Sequence, residues 1–484
     1  MNINWKFIVK VVGLILIYES LLLLLSAAVS RYFQDTDMQA FVYSAVITFV
    51  SGSGLVLLGG LRRKTNIIGK RESYVGVAFS WIAFALFGAL PFYLSGTFSG
   101  FTDAFFESMS GISTTGASII PNIDLAPRGL LFWRSLMQWV GGIGIVLFSV
   151  ALLPLLGGGA AQLFDAEATG LTHDKFRPRV TQVAKRLFGM YVLFTALAIG
   201  LLGAGKMDWF DAVCHGLSTI STGGFSTKQD STAWWHSPYI ESVQIVFMVI
   251  GTINFTLLYF FLFKGNVKKF IKDEELRWFL LTIIGSTVII GLGLFLEKGY
   301  GFLEAFRKSL FQITSIITTA GYTTDDFSLW GHSYLILILF LMVFCGCAGS
   351  TSGGLKVVRG VVLAKNTLNE FSRLIHPRAV IPVRLNGTAL SFEVVQRLLA
   401  FIFLYIGIIF VSWGILALSG LGFQEALGAS ISMIGNVGLG LGDLANSYAG
   451  IPVFAKWYMS FLMVVGRLEI FTILILFSPG FWKR

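Results

Sequence analysis

The sequence predicts an all-α polytopic membrane protein. Its expected plan is an N-terminal two-helix hairpin followed by four tandem helix–pore helix–filter–helix repeats in a pseudo-four-fold arrangement. Two observations predict it. First, 55% of the 484 residues are hydrophobic and only 13% are charged, against about 25% charged in soluble domains. Several apolar runs reach the roughly 20 residues that span about 30 Å of hydrocarbon. The alternation over about 10-residue segments that marks a membrane β-barrel is absent. Second, a short Gly- and hydroxyl-rich stretch occurs four times, as Ser113-Thr114-Thr115-Gly116-Ala117, Ser221-Thr222-Gly223-Gly224-Phe225, Thr318-Thr319-Ala320-Gly321-Tyr322 and Gly435-Asn436-Val437-Gly438-Leu439. Each copy follows an apolar run too short to cross a bilayer.

The hairpin covers residues 1–72, with apolar runs at 7–29 and 39–61 and no filter-like stretch. The first run is too long for a cleavable signal and lacks a small-residue cleavage site. The first repeat (73–180) has a long run at 74–94, a half-length run at 101–112, the Gly/Thr stretch, and a long run at 129–156. The second (181–273) repeats the order with 182–202, 209–220 and 238–263. The third (274–390) has 275–296, 302–317 and 333–363. The fourth (391–484) has 391–418, 423–434 and 453–477.

The net charge of +10 would point to nucleic acid in a soluble protein. Here the basic residues lie between apolar runs, where they set topology, and no nucleic-acid partner is expected. Lys6, Lys10, Arg62, Arg63, Lys64, Lys70 and Arg71 precede the first repeat. Lys175, Arg177, Arg179, Lys185 and Arg186 follow it, Lys264, Lys268, Lys269, Lys272 and Arg277 follow the second, and Lys365, Arg373, Arg378, Arg384 and Arg397 follow the third. All fall on one side only if every half-length run enters and returns without crossing. Positive residues stay inside, so both termini are expected in the cytoplasm. The count is ten spanning helices and four re-entrant ones.

The repeat has a register. Six residues before the last filter glycine stand Ser110, Ser218, Ser315 and Ser432, and four before stand Ile112, Ile220, Ile317 and Ile434. Two before stand Thr114, Thr222, Thr319 and the outlier Asn436. The glycines Gly116, Gly224, Gly321 and Gly438 lie 108, 97 and 117 residues apart, a tandem repeat and not local low complexity.

Irregular backbone at membrane depth is tolerated only where it is buried in protein or lines a wet cavity. Four such loops around one axis leave a hole. Glycine there adopts φ values closed to other residues, so backbone carbonyls can ring the axis and replace the hydration shell of a potassium-sized cation. The candidate ion-coordinating residues are Thr114, Thr115, Gly116, Thr222, Gly223, Gly224, Thr319, Ala320, Gly321, Asn436, Val437 and Gly438. The half-helices present their partially negative C-terminal ends to this axis. Asp103, Glu107, Asp208, Asp211, Asp325, Asp326, Glu425 and Asp443 near the half-helices and filter exits either concentrate cations at the mouth or are ordinary helix-end charges.

The four long–half–long units with STTGA, STGGF, TTAGY and GNVGL resemble the Trk/Ktr/HKT superfamily of potassium transport proteins over essentially the whole chain. The N-terminal hairpin makes the sequence similar to the TrkH-type potassium uptake subunit. The resemblance implies a multi-pass cell-membrane protein that takes up K+ as the transported ion, with no bound cofactor and no catalysis. It implies one filter per subunit, a glycine in each loop for potassium selectivity, and a homodimer docked on a cytoplasmic nucleotide-binding regulatory ring of the TrkA type. The other class of mechanism is a cation secondary transporter with alternating access. That class is often built on inverted repeats, whereas these four share one orientation.

In the last long run of the third repeat, Gly346-Cys347-Ala348-Gly349-Ser350-Thr351-Ser352-Gly353-Gly354-Leu355-Lys356 is a poor helix former. By the resemblance, Gly346, Gly349, Ser350, Thr351, Ser352, Gly353 and Gly354 form an intramembrane gating loop. From composition alone a kinked, closely packed helix is equally open. Arg467 is a costly charge within an apolar run, so it faces a cavity or a partner. The resemblance makes it a barrier below the filter, and the plain alternative is a carboxylate pair, with Glu469 nearby. Lys356 is a second cation that can face the pore. Cys345 and Cys347 lack the second cluster that a metal site needs. The five histidines are scattered without metal-ligand spacing.

Overall fold

The fold comes from a computed structural model, which describes residues 3–60, 69–152, 176–445 and 447–483. The basic residues Arg62, Arg63, Lys64 and Lys175 and the end of the 129–156 run lie outside the described residues.

Helices Trp5–Phe33 and Met38–Gly59 form the expected hairpin. They touch closely where Gly13 and Gly52 face each other, each too near the other's backbone carbonyl to admit a side chain. Small residues that let two backbones approach are the usual adhesive between helices in lipid. The hairpin joins the first repeat through Asp35, whose Oδ2 accepts from the Arg128 amide at 2.7 Å. The Arg128 guanidinium lies 4.3 Å from the Phe33 ring centre. The outer faces of the long helices expose large apolar side chains such as Leu21, Val50, Leu281, Phe403 and Val411, the pattern of a lipid-facing surface and not of a watery one.

The chain ends meet. Trp5 and Trp482 stack with ring centres 6.3 Å apart, and Arg71 donates to the Lys483 carbonyl at 2.9 Å. The two termini and the start of the first repeat therefore lie at the same end of the molecule.

The half-length runs are helices with the predicted limits, Phe101–Ile112, Trp209–Ile220, Phe302–Ile317 and Phe423–Gly435. Their C-terminal halves are buried on all sides, so these four sit inside the ring of longer helices.

The number of spans and two of the long runs, at 238–263 and 453–477, differ from expectation. Among the described residues six helices are long and apolar enough to cross a membrane, and two bent pairs raise that to eight at most. The run at 238–263 is two helices, Pro238–Thr252 and Phe255–Lys264, bent by 103°. The run at 453–477 breaks after Arg467 and bends by 110°. The run at 333–363 is interrupted between helices His332–Val343 and Val357–Ile375. A glycine near each break meets its own pore helix: Gly251, Gly346 and Gly466 lie against the last isoleucine carbonyl, Ile220, Ile317 and Ile434 respectively. Gly141 stands against Ile112 in the same way within the unbroken helix Arg128–Leu152, so the contact by itself does not break a helix. Where the run at 238–263 breaks, Asn254 starts the new helix by accepting from the amides of Thr256 (2.8 Å) and Leu257 (3.1 Å).

Candidate ion-conduction site

Each pore helix ends in the same way. The amide two residues before the filter glycine (Thr114, Thr222, Thr319, Asn436) donates to the carbonyl three residues back, at 3.0 to 3.3 Å. The next amide (Thr115, Gly223, Ala320, Val437) donates to the carbonyl of the recurrent serine, Ser110, Ser218, Ser315 or Ser432, at 2.9 Å in all four. This pair of bonds is a Schellman cap, which requires a left-handed residue at its centre. That residue has φ of 54° at Thr114, 52° at Thr222, 58° at Thr319 and 53° at Asn436.

The cap changes the meaning of Asn436. By type it is the outlier, yet it is the residue best suited to the position, because Asn enters the left-handed region readily. The three threonines are β-branched, and left-handed φ is a true outlier for them. Such strain costs on the order of 1–3 kcal/mol per site and persists only where surrounding contacts impose it. Two of the threonines have such contacts. Thr319 Oγ1 accepts from the Gly353 amide at 3.0 Å, and Thr222 Oγ1 lies 3.3 Å from Thr351 Oγ1. Asn436 Nδ2 donates to Thr115 Oγ1 (3.0 Å) and to the Met463 carbonyl (2.9 Å).

One residue on, the filter glycines have φ of 83°, 80°, 75° and 82°. A side chain on Gly116 would strike the Gly223 carbonyl oxygen. On Gly224 it would strike that of Ala320, on Gly321 that of Val437, and on Gly438 that of Thr115. The contacts run from loop one to two, two to three, three to four and four back to one. The four loops therefore close into a ring, with each glycine Cα packed on the carbonyl of the next loop. All twelve predicted filter residues stand in this ring.

Side chains brace the ring from behind. Gln138 is fully buried. Its Nε2 donates to the Gly223 carbonyl at 2.6 Å, and its Oε1 accepts from the Phe225 amide at 3.2 Å and from Ser218 Oγ. Arg134 is also buried. It donates through Nε to Glu107 Oε1 at 2.7 Å, through Nη2 to Ser118 Oγ at 3.0 Å and through Nη1 to the Ser226 carbonyl at 3.2 Å. Glu107 Oε2 accepts from the Ile119 amide at 2.8 Å. The pair thus ties the exit of the first loop to the exit of the second. The sequence reading missed Gln138 and Arg134; the available signal was a polar residue inside an apolar run. Replacing Arg134 by Met strands a buried carboxylate, a change that costs about 3–5 kcal/mol. The expected result is a clear fall in the thermal unfolding temperature of the detergent-purified protein. Adding Glu107→Leu should recover much of it.

The acidic residues near the mouth are mostly partnered. Asp103 pairs with Lys456 at 2.7 Å, Glu107 with Arg134, Asp211 with Lys228 at 3.8 Å, and Asp325 with Lys308 at 3.4 Å. Asp326 caps a short helix by accepting from the Ser328 amide. These five hold helices and loops in place, while Asp208, Glu425 and Asp443 form no ion pair among the described residues.

Directly beneath the ring lies the segment between Val343 and Val357, which is not a helix. Its neck is closed by two backbone bonds, Cys345 amide to Leu355 carbonyl (3.0 Å) and Leu355 amide to Val343 carbonyl (3.1 Å). It is therefore a closed loop and not a kink. The loop touches three of the four repeats' central elements. Thr351 Oγ1 donates toward the carbonyls of Ile220 (3.1 Å) and Gly251 (2.9 Å). The Gly346 amide donates to Ile317 (2.9 Å), and Gly353 packs on Gly435 and Asn436. Ser350 Oγ donates to the Cys347 carbonyl at 2.6 Å and lies 2.8 Å from Ser352 Oγ. Gly349 and Gly354 take φ of 70° and 69°, values that favour glycine.

Arg467 is 2% exposed. Its Nη1 donates to the Thr351 carbonyl at 2.6 Å and its Nη2 to the Gly141 carbonyl at 2.9 Å. Glu469 does not pair with it; that carboxylate meets Arg359 at 2.5 Å. Among the described residues Arg467 has no ion pair; its charge meets the two carbonyl dipoles and the Trp81 ring, whose centre lies 6.0 Å away. Lys356 Nζ donates to the loop's own Ser352 and Gly353 carbonyls.

Comparison with known proteins agrees with this geometry. The profile of the TrkH family, described as a cation transport protein, matches residues 38–484. The chain is 37% identical to the Trk system potassium uptake protein TrkH of Salmonella typhimurium, over 99% of this chain and 100% of that one. It is 36% identical to the protein of the same name from Escherichia coli K12, with the same coverage. Among solved structures, the potassium transporter TrkH from Vibrio parahaemolyticus superposes with a TM-score of 0.92 at 35% identity, covering 100% of both chains. The ring of four capped loops, the loop beneath it and these full-length matches place the chain in the TrkH family of cation transport proteins.

Proposed function

We propose that this protein takes up potassium across the cell membrane by single-file passage through the four-loop ring, with Thr114 to Gly116, Thr222 to Gly224, Thr319 to Gly321 and Asn436 to Gly438 coordinating the ion. The observation that carries the reading is the closed order of glycine–carbonyl contacts around the ring. On this reading the ring encloses a narrow path in which backbone oxygens replace water around a weakly hydrated cation. The relatives named for potassium uptake support the choice of ion.

The loop from Gly346 to Lys356 and the Arg467 side chain close this path below the ring. Loop movement opens it, driven through the segment 371–389. A homodimer docked on a cytoplasmic nucleotide-binding ring of the TrkA type supplies the drive. The protein sits in the cell membrane, which in a double-membraned cell is the inner one. Both termini lie on the cytoplasmic side, a topology supported by the Trp5–Trp482 stack and by the excess of basic residues there.

Purified protein in liposomes tests the reading. Potassium and rubidium are expected to enter, and sodium and lithium to be held back. Equal entry of sodium and potassium overturns the selectivity of the ring.

A further inference from the structure

We infer that Glu275 is the latch of the intramembrane loop, and that the turn which carries it transmits movement of the hairpin 384–389 to that loop. The inference rests on the reading of residues 346–356 as a gate.

Glu275 is 2% exposed and belongs to the first turn of helix Glu274–Glu297. Its Oε1 accepts from the Ala348 amide at 2.8 Å and from the Val358 amide at 3.2 Å. Those two amides stand on the entering and leaving limbs of the loop, on either side of its neck. One carboxylate oxygen therefore holds both limbs at once. The partners are groups that would otherwise be orphans. Val358 lies in the first turn of helix Val357–Ile375, where amides have no partner within the helix and a negative group is favoured by the helix dipole. The loop is also held by Arg467, Thr319 and Ile220 on the ring side, and at the break of the second repeat, where the Cys347 amide donates to the Thr252 carbonyl and the Phe255 amide to the Gly349 carbonyl, both at 3.2 Å. Glu275 belongs instead to a helix end that is tied to the hairpin.

The same turn is gripped from outside. Asn386, at the tip of the hairpin formed by Arg384–Leu385 and Thr388–Ala389, accepts from the Glu274 amide at 2.8 Å. It donates to Asp273 Oδ2 at 2.9 Å. Asp273 itself caps the helix by accepting from the Leu276 amide at 2.8 Å. Lys365 pairs with Glu274 at 2.5 Å and donates to the Arg384 carbonyl at 2.9 Å. Asn386 and Gly387 have φ of 48° and 79°, the tight turn that makes a short hairpin rigid. Three consecutive acidic residues thus connect a rigid outer hairpin to the limbs of the loop through a single helical turn. A pull on the hairpin displaces Glu275 and frees Ala348 and Val358 together.

The test uses the full-length protein in liposomes, with flux and thiol alkylation as two readouts. Cys345 and Cys347 are buried in the loop, and Cys214 is buried in the second pore helix as an internal reference. Glu275→Met removes the acceptor at similar volume. Glu275→Gln keeps an acceptor oxygen. Glu275→Met is expected to raise basal potassium flux and maleimide labelling of Cys345 and Cys347 about tenfold, the factor for losing the two hydrogen bonds this side chain accepts. Glu275→Gln should stay close to wild type and Cys214 should not respond. Asn386→Ala should shift loop labelling in the same direction by a smaller factor. A parallel rise at Cys214 means general loosening and overturns the latch, as does unchanged loop labelling in Glu275→Met. A protein shortened within 349–354 separates the two ideas. If it leaks while Glu275→Met does not, the gate stands and the latch falls. If it does not leak, the gate reading itself falls.

Discussion

Replacing Gly224 by Ala is expected to abolish potassium flux while leaving the protein folded. Gly224 has φ of 80°, a region that costs an L-residue about 1–2 kcal/mol. The added methyl would also fall on the Ala320 carbonyl oxygen of the neighbouring loop. Neither atom can move without shifting the ring, because Ala320 is itself held by its amide bond to the Ser315 carbonyl. A loss of about 3 kcal/mol in ion coordination lowers flux roughly 100-fold. Liposome flux measures this, and unfolding temperature in detergent serves as the fold control. Thr222→Asn is the contrasting variant. Asn436 already occupies the equivalent left-handed position, so Asn at 222 is expected to keep stability and most of the flux. Normal flux through Gly224→Ala would sink the ring as the conduction path.

The second large effect is expected at Arg467. Changing it to Ala should raise basal potassium flux at least about tenfold, while the preference for potassium over sodium stays the same. The guanidinium is buried beneath the ring and satisfied by two carbonyls and no carboxylate, so it keeps a net positive charge near the path. Two unit charges about 4 Å apart repel by about 4 kcal/mol at an effective dielectric of 20, and a residue of 1.4 kcal/mol after screening is already tenfold. Loss of the Thr351 bond also loosens the loop. Lys at 467 preserves the charge without the fork that reaches both carbonyls, so it should leak less than Ala. Unchanged flux in the Ala variant would remove the barrier role, and altered selectivity would place Arg467 in the filter itself.

Much of the site was legible because it repeats. The spacing from Ser110, Ser218, Ser315 and Ser432 to the four glycines located every loop. The structure supplies the reason for the spacing: the serine carbonyl receives the bond that ends the helix. Asn436 differs from the three threonines by residue type, and the left-handed backbone it shares with them is a property that type alone does not reveal. The runs at 238–263 and 453–477 read as unbroken because their composition is apolar throughout, whereas the small residues of Gly346–Lys356 marked the break in the run at 333–363. Gly251 and Gly466 meet distant carbonyls at the two unmarked breaks, and a glycine within an apolar run does not announce such a neighbour. Four of the eight acids near the mouth stand beside Lys456, Arg134, Lys228 and Lys308, partners that local spacing does not reveal.

The sequence by itself determined the solvent and the repeat. These follow from composition, run length and local spacing, which act over a few turns of chain. Only the tertiary structure decided that the loops close in cyclic order and that Arg467 meets carbonyls and not Glu469. It alone showed that one carboxylate, Glu275, holds both limbs of the loop. Those contacts join residues from about 70 to over 300 positions apart, and the packing of the four repeats around one axis is what brings them together.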